Sequence, residues 1–500
     1  MSSRPLVEKI AFFFFIVMTL VRLVLAARLG LGDDEAYYWD WSRSLSLSYF
    51  DHPAMVAWLI KAGTLLFGDT PFGVRVFGLL SGGLAGVLLW WLARELFDRR
   101  IAALTLLLYT FAPIFAVGGF LMVPDAPMAF AWTAFTCILW KLWGSSTSRT
   151  RDWILAGLVL GFGLLSKYTM LLAAVSAVAL FLSDRARRRD LVSSRFFLTI
   201  TIVVAMCVPI LAWNHVHEWP SVKFHLHDRQ TGGGGPSLLR WLQFWASQFF
   251  VLGPVLFVVC MMALVAAFRR RSESRWKFIA LVSAPPLVVF AIQALFAEFK
   301  AHWPAPAFPL LFIGASALWT EWKPISRKIV AGFVVAFFAL TDGIFYISAV
   351  HPILPTLSRL VNPAGQFEPQ FDPTNDLYGW DELVAHLRPI REKEKASTGK
   401  DVLLSAGRYQ LVSQFAFASG EEVLRAAKTT DHYSFTQTPE KRAALKGADA
   451  IFVSDNRFYR DPRTDGTFET CHNLDDFKVK RGEEPARIFY LWICRGFKGA

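Results

Sequence analysis

The chain has 500 residues, of which 54% are hydrophobic and 18% are charged, and its mean hydropathy is +0.38. Soluble domains usually carry about 25% charged residues, and the 45 Phe and 19 Trp residues also indicate a chain that faces lipid. Residues 1–350 hold 31 Lys and Arg against 19 Asp and Glu, whereas residues 351–500 hold 21 of each, so the net charge of +12 belongs to the hydrophobic part. This distribution excludes a soluble basic nucleic-acid-binding protein and a basic tail, and it is typical of charges that set membrane topology.

Long apolar stretches predict an all-α polytopic membrane domain over residues 1–350. A helix needs about 20 residues to cross the hydrocarbon layer, and only helices satisfy their own backbone in lipid in a chain of this pattern. We predict about 11 to 13 transmembrane helices, the first of them retained rather than cleaved as a secretory signal. The eleven apolar stretches are 10–29, 74–93, 101–120, 126–143, 153–166, 169–183, 196–213, 244–268, 278–296, 305–320 and 329–349.

The basic residues between these stretches predict the orientation of the chain. With a cytoplasmic N-terminus, the segments on the inside carry 21 Lys and Arg in total, and those on the outside carry 7. Cytoplasmic loops are enriched in Lys and Arg. An odd number of spans then places residues 351–500 outside the cytoplasm, which in a bacterium means the periplasmic side of the inner membrane.

Residues 351–500 predict a small soluble α/β domain. Buried strands are predicted at 401–406, 449–455 and 487–497, with helical patterns before and between them. Cys471 and Cys494 lie in this domain and could pair in an oxidising compartment. Sequence spacing alone does not establish the geometry of a disulfide, so the pairing stays open at this point.

The loop after the first apolar stretch carries the most acidic residues of the membrane domain. Asp33, Asp34 and Glu35 follow that stretch directly, and Asp51 and His52 lie near the end of the same loop. On composition alone, a solvated acidic turn is the simplest interpretation. The loop is longer than a connection needs, however, and aromatic residues of the kind found at the headgroup level alternate with the acids. These residues are Tyr37, Tyr38, Trp39 and Trp41.

This loop resembles the first outside loop of the GT-C membrane glycosyltransferases, in particular the bacterial protein mannosyltransferase and aminoarabinose lipid A transferase families. The resemblance lies in Asp34–Glu35 followed by aromatics and in the later YFDHPAM. It extends over most of residues 1–320 through MVPDAPM (122–128), LLSKYTM (164–170), NHVHEWPSVKFHLHDR (214–229) and FKAHWPAPAFP (299–309). It implies a GT-C architecture and transfer of a sugar from a polyprenyl-phosphate carrier to an acceptor at the outer face of the inner membrane.

The resemblance also implies roles for the acids. The family's catalytic Asp falls on Asp34 in the Asp34–Glu35 pair, and a second acid falls on Asp51, where the aminoarabinose transferases have Glu. His52 departs from their Lys. The chemistry agrees, because a poor acceptor nucleophile profits from a carboxylate base. We therefore predict Asp34 as the general base, with Glu35 and Asp51 as further catalytic acids.

Cations are expected to stabilise the phosphate that leaves with the lipid. The candidates are Lys167, Arg229 and Lys300, all at predicted outer ends of apolar stretches. An ionisable residue such as Lys167 within an apolar stretch suggests function, although a lysine whose amine reaches the interface is the alternative. His302 and Tyr37 are further candidates for substrate binding.

Two further expectations concern Asp125 and the histidines. Asp125 lies in VPDAP and could be a third functional acid or the N-cap of a helix. The resemblance places a metal-binding His near 225–227, and His52, His225 and His227 with the loop acids could hold a divalent cation. Lone histidines are more often structural, so the metal is one of two alternatives.

The expected partners are a polyprenyl-phosphate-linked sugar, an acceptor and membrane lipid, with no nucleic acid. The acceptor could be lipid A or lipopolysaccharide, another glycolipid or a protein. A flippase or transporter for lipid-linked sugars is the main alternative from another class. A transporter would place charged residues along a path through the membrane and would often contain internal repeats, neither of which is evident in the sequence.

Overall fold

The computed structural model describes residues 6–145, 149–225, 235–362, 367–427 and 429–499. The chain forms two compact units, called here the helical unit and the sheet unit. The helical unit comprises Met1–Ala26, Ser46–Leu59 and Arg75–Asp342, and the sheet unit comprises Ala27–Leu45, Ile60–Val74 and Gly343–Ala500. This division differs from the predicted boundary at residue 350, because two segments of the first outside loop pack with the C-terminal residues.

Helices follow one another along the first 350 residues, and each of the eleven predicted apolar stretches coincides with one helix or with two consecutive ones. The helices are α1 (Leu6–Arg28), α2 (Asp33–Arg43), α3 (Met55–Phe67), α4 (Pro71–Leu96), α5 (Arg99–Phe111), α6 (Pro113–Gly118), α7 (Asp125–Gly144), α8 (Thr150–Ser166), α9 (Leu171–Leu182), α10 (Ser194–Val216), α11 (Pro220–Lys223), α12 (Leu238–Leu252), α13 (Pro254–Arg269), α14 (Ser274–Phe296), α15 (Phe308–Glu321) and α16 (Pro324–Val350).

Within the described residues, five helices are long and apolar enough to cross a membrane by themselves, namely α1, α4, α10, α14 and α16. The bent pair α12 and α13 makes six if it counts as one span. Other predicted stretches form shorter helices or helices interrupted by a break. The chain is therefore a multi-pass membrane protein, and the larger number of spans stays a prediction.

Gly253 lies at a sharp bend between two consecutive apolar helices of the helical unit. It has φ +88°, and α12 and α13 meet there at 111°. A Cβ on Gly253 would lie 2.6 Å from the ring of Phe337 on α16. Glycine is needed at this position for both its conformation and the close packing of α16.

Small residues bring α8 and α10 close together. A Cβ on Gly161 would lie 2.8 Å from Cβ of Met206, and one on Gly157 would lie 3.0 Å from Cβ of Ile202. Small side chains at i and i+4 allow two helices to approach closely in lipid. The sequence pattern at these two glycines thus reports packing.

The sheet unit contains a six-stranded mixed sheet with the order β2-β1-β3-β6-β4, and β5 also pairs with β6. Strands β1, β2 and β3 are parallel, whereas β6 runs antiparallel to its neighbours β3, β4 and β5. The strands are β1 (Val402–Ala406), β2 (Val423–Arg425), β3 (Asp449–Asp455), β4 (Phe468–Asn473), β5 (Phe477–Arg481) and β6 (Glu484–Phe497). The helices of this region are α17 (Leu354–Val361), α18 (Trp380–Thr398), α19 (Tyr409–Ser419), α20 (Tyr433–Thr436) and α21 (Pro439–Ala444).

The three predicted strands of the C-terminal region are all present as β1, β3 and β6, and an α/β fold is confirmed there. Cys471 on β4 is the cross-strand partner of Cys494 on β6, and the two form a disulfide bond. The pairing that the sequence left open is therefore present. It joins an edge strand to a buried strand and closes a loop with a sequence separation of 23 residues.

Candidate active site

The acidic segment of the first outside loop forms α2, which belongs to the sheet unit. Gly32 is its N-cap, and the backbone N–H of Gly32 donates to Oε2 of Glu35 at 3.0 Å. The acids of the first turn also suit the positive end of the helix dipole. Glu35 is 1% exposed, so the structure gives this predicted catalytic acid a capping contact within its own helix.

The three neighbouring acids lie in three different environments. Asp33 is half-buried and accepts a hydrogen bond from Nε2 of Gln414 at 3.2 Å, while Nη1 of Arg457 lies 3.5 Å from its second oxygen. Asp34 is exposed, and the hydroxyl of Tyr409 donates to its Oδ1 at 3.5 Å, a long and weak hydrogen bond. Of the three carboxylates, that of Asp34 is therefore the most exposed.

Tyr37 lies one turn after Asp34 on α2 and is buried, with 3% of its surface exposed. Its ring centroid lies 4.4 Å from that of Tyr409, and its hydroxyl accepts from the backbone N–H of His432 at 3.1 Å. These contacts are those of a core residue of the sheet unit. The substrate contact predicted for Tyr37 has no support in this geometry and stays a prediction.

His432 packs against the buried residues of α2 and is uncharged there. Its ring packs against Tyr37 and Trp41. Burial lowers the pKa of His432 from 6.5 to about 3, because the protonated ring would be removed from water. The group beneath the acidic helix is therefore neutral at physiological pH, and the positive charge near the N-terminus of α2 comes from Arg457.

A second cluster of predicted site residues lies in the helical unit around Asp125, the first residue of α7. Nζ of Lys167 lies 2.7 Å from both carboxylate oxygens of Asp125, and Nε2 of His302 lies 3.9 Å from Oδ2. The N-cap position of α7 is Pro124, and no side-chain cap hydrogen bond is present. Asp125 is thus in an ion pair and does not cap the helix, and its role as a third functional acid stays a prediction.

The turn that carries Asp51 and His52 joins this cluster. Ser48 and Pro53 form an isolated β-bridge, and the backbone N–H of Tyr49 donates to the carbonyl of His52 at 3.2 Å. His52 is close enough to Asp125 for an electrostatic interaction between them. Within the helical unit, the structure therefore brings together the predicted residues Asp51, His52, Asp125, Lys167 and His302.

His225 lies at the same turn. Its Nε2 donates to the backbone carbonyl of Asp51 at 2.8 Å, and its ring centroid lies 6.1 Å from that of His52. Among the residues that the structure describes, no group of three or more His, Cys, Asp or Glu side chains is arranged to hold a metal ion. His227 and Arg229 lie outside the described residues, so the predicted metal site stays a prediction.

The cations of the helical unit differ in availability. Lys167 is buried, and Asp125 takes two of the three N–H donors of its ammonium group. Lys300 is exposed and lies two residues before His302, which is also exposed. Lys300 is therefore an exposed positive charge that a phosphate group can reach. The charges of Asp125 and Lys167, by contrast, compensate each other.

Three residues that contact the acidic helix were not predicted from the sequence. Tyr409, Gln414 and Arg457 lie more than 370 positions along the chain from Asp33 and Asp34. The sequence offers no local signal for these contacts, because Tyr409 and Gln414 have the spacing of an ordinary amphipathic helix. They depend on the tertiary packing of α2 against α19.

Known proteins are similar to this chain. Residues 51–213 match the sequence model of the dolichyl-phosphate-mannose-protein mannosyltransferase family. The chain is 30% identical over 281 residues to the lipid A galacturonosyltransferase RgtD of Rhizobium johnstonii, an alignment that covers 55% of this chain and 58% of that protein. It is also 30% identical over 282 residues to the undecaprenyl phosphate-alpha-4-amino-4-deoxy-L-arabinose arabinosyl transferase of Pseudomonas aeruginosa, with 53% and 48% covered. The chain thus spans about half the length of the curated relatives that it matches.

Solved structures agree over a longer part of the chain. The crystal structure of ArnT from Cupriavidus metallidurans in the apo state superposes with a TM-score of 0.67 at 17% identity, covering 96% of this chain and 97% of that one. The same protein bound to undecaprenyl phosphate gives a TM-score of 0.65 at 16% identity, with the same coverage. At these identities the similarity establishes the fold. The predicted architecture and the resemblance to the mannosyltransferase and aminoarabinose transferase families are therefore confirmed, and the names of the relatives give no support to the flippase alternative.

Proposed function

We propose that the chain is an integral-membrane glycosyltransferase that moves a sugar from a polyprenyl-phosphate carrier to a lipid A-type acceptor at the outer face of the inner membrane. The distribution of basic residues supports this orientation, with the N-terminus in the cytoplasm and residues 351–500 outside. The transferase names of the two relatives and the undecaprenyl phosphate bound to the structural neighbour support the reaction class and the carrier.

The observation that carries the mechanism is that Asp34 is the most exposed of the three neighbouring acids. Asp33 is held by Gln414, and Glu35 caps the helix. In the proposed reaction, Asp34 accepts the proton of the acceptor hydroxyl or phosphate as its oxygen attacks the anomeric carbon. A positioned carboxylate base of this kind typically contributes about 10²- to 10⁴-fold to the rate.

The bond from the anomeric carbon to the carrier phosphate breaks as the new glycosidic bond forms. The departing lipid phosphate is stable as an anion, so no general acid is required. Fixed cations stabilise the charge that grows on its oxygens. We assign this role to Lys300 and Arg229, with Lys167 contributing through its remaining donor, and Asp51 stays a predicted catalytic acid.

The sugar and the acceptor follow from the named relatives. One relative is a lipid A galacturonosyltransferase and the other an aminoarabinosyl transferase. We therefore favour a uronic acid or an amino sugar as the transferred group and lipid A as the acceptor, over a protein acceptor.

The test is a transfer assay with purified protein in lipid nanodiscs. Polyprenyl-phosphate derivatives of galacturonic acid, aminoarabinose and mannose are offered with lipid A or with a peptide as acceptor, and the products are identified by mass spectrometry. We expect one acidic or amino sugar to be transferred, and we expect Asp34→Asn to lower kcat by at least 100-fold. Transfer to a peptide acceptor only would contradict the lipid A assignment.

A matched control shows whether the effect is specific to Asp34 or follows from the loss of any exposed carboxylate in the sheet unit. Asp475 is exposed on the loop before β5, and Asp475→Asn makes the same change in the same unit. It should retain wild-type kcat. If Asp34→Asn is as active as Asp475→Asn, Asp34 is not the base.

A further inference from the structure

The helix that carries Asp34 depends on other parts of the sheet unit for its position. α2 has 11 residues, and isolated helices shorter than about 12–15 residues are marginal in water. Its buried residues include Tyr37, which packs on Tyr409, and Trp39, which packs on Phe417. Both partners belong to α19, so packing against α19 sets where α2 lies.

Gln414 fixes the N-terminal end of α2. Its side chain is 2% exposed, and its amide nitrogen donates to the carbonyl of Leu31 at 2.7 Å and to Oδ1 of Asp33 at 3.2 Å. The same nitrogen lies 3.3 Å from the carbonyl of Asp376. One buried amide therefore joins the chain before α2, the residue before Asp34 and the segment Pro373–Leu377.

Two further contacts restrain the same end of the helix. Arg457 pairs with Asp33 and with Asp376. A Cβ on Gly30 would lie only 2.2 Å from the carbonyl oxygen of Leu377, so the backbone before α2 touches this segment directly. The position of Asp34 thus depends on residues more than 340 positions later in the chain.

Tyr409, also on α19, contacts Asp34 itself. Its ring packs on Tyr37, and its hydroxyl donates to Oδ1 of Asp34 at 3.5 Å. Tyr409 and Gln414 are five residues apart on α19. One helix therefore holds both the base and the backbone that leads to it.

We infer that α19 positions the general base: Gln414 sets the location of the Asp34 carboxylate, and Tyr409 sets its hydrogen bonding. This inference rests on the proposed function, in which Asp34 is the base. Gln414 and Tyr409 are positioning residues. A displacement of a reacting group by about 1 Å can lower a rate by about 100-fold, so the loss of the Gln414 amide should affect kcat while the affinity for the carrier is retained.

The first experiment is a double-mutant cycle on kcat in nanodiscs. Gln414→Leu should lower kcat at least tenfold with KM for the donor changed less than twofold. Added to Asp34→Asn, it should cause no further loss of the residual rate, because it acts through Asp34. Gln410→Leu is the matched control on the same helix and should keep wild-type kcat, since its buried amide oxygen has no hydrogen-bond partner among the described residues.

The outcomes separate the inference from the proposed function. If Asp34→Asn retains wild-type kcat, the base assignment fails, and the inference fails with it. If Asp34→Asn is inactive while Gln414→Leu keeps its kcat, or if the two losses multiply, only the inference fails. A thermal unfolding curve for each variant identifies any that is misfolded.

Tyr409→Phe provides a second measurement that does not depend on folding of the Gln414 variant. A hydrogen bond donated to a carboxylate favours its charged form, so removal of the hydroxyl should move the acidic limb of the kcat–pH profile to higher pH by a few tenths of a pH unit. An unchanged acidic limb would contradict the role of Tyr409. The charged side chains on the flanking elements are retained in this variant, namely Asp33, Glu35, Arg408 and Arg457.

Discussion

Lys167 holds both carboxylate oxygens of Asp125 at 2.7 Å, although the two residues are 42 positions apart. The pair connects the first residue of α7 to the short break between the end of α8 and the start of α9. It is therefore a tie between helix ends in the helical unit, as well as a part of the proposed site.

We expect Lys167→Met to destabilise the protein by about 2–3 kcal/mol. The substitution leaves a partly buried carboxylate without its cation, and such a loss costs more than the pair itself contributes. The double variant Asp125→Asn, Lys167→Met should be more stable than Lys167→Met alone, because both charges of the pair are then removed and no unpaired carboxylate is left. Thermal unfolding in detergent gives both values, and a double variant that is less stable than the single one would contradict the ion-pair interpretation.

Glu35 and Asp34 should respond differently to the loss of charge. Glu35→Gln keeps an oxygen that accepts from Gly32, so it should retain most of the activity. Glu35→Ala removes the cap and should cost about 1 kcal/mol of stability. The comparison requires kcat and the midpoint of thermal unfolding for Glu35→Gln, Glu35→Ala and Asp34→Asn. A loss of activity in Glu35→Gln equal to that in Asp34→Asn would restore a catalytic role for Glu35.

His432 should make the sheet unit less stable in acid. Burial lowers its pKa to about 3, so the unfolded chain binds a proton near pH 6.5 and the folded chain does not. The free energy of unfolding should therefore fall as the pH decreases from about 6.5 towards 3, by roughly 2 kcal/mol from this group at pH 5. The measurement compares unfolding of the wild type and of His432→Asn at pH 7.5 and pH 5. The prediction fails if both proteins lose the same stability.

Gly161 and Gly83 provide a matched pair of glycine substitutions. Gly161→Ala places a methyl group 2.8 Å from Cβ of Met206, whereas a Cβ on Gly83 in α4 has no atom within 4 Å. We expect Gly161→Ala to destabilise the protein by about 1–3 kcal/mol. Gly83→Ala should be neutral or stabilise it by up to about 1 kcal/mol. Equal unfolding temperatures for the two variants would contradict the close packing of α8 and α10.

Much of the fold could be predicted because continuous apolar runs identify buried elements. The strands at 402–406 and 449–455 are buried almost throughout, and their sequences are correspondingly apolar. β4 and β5 were not predicted, since FETCHN is mostly exposed and FKVKR is rich in basic residues. β2 has only three residues, too few for a periodicity to be recognised.

The candidate site was harder to predict in its details. The acidic segment and its position after the first apolar stretch were evident, but the roles of Asp33, Asp34 and Glu35 depend on which side of α2 each one occupies. The rotation of α2 about its own axis determines these sides, and it is set by the burial of Tyr37 and Trp41 against residues of the C-terminal region. No pattern within the loop contains this information, because the residues that select the buried side come from distant parts of the chain.

The Cys471–Cys494 bond can also serve as a marker of topology. Thiol-reducing systems keep cytosolic cysteine pairs open, whereas pairs on the far side of the inner membrane are oxidised. Alkylation of intact cells with a mass-tagged maleimide, before and after reduction, would reveal whether this cystine exists in vivo. The redox state of one residue pair would then report the compartment of the C-terminal region without reference to loop charges.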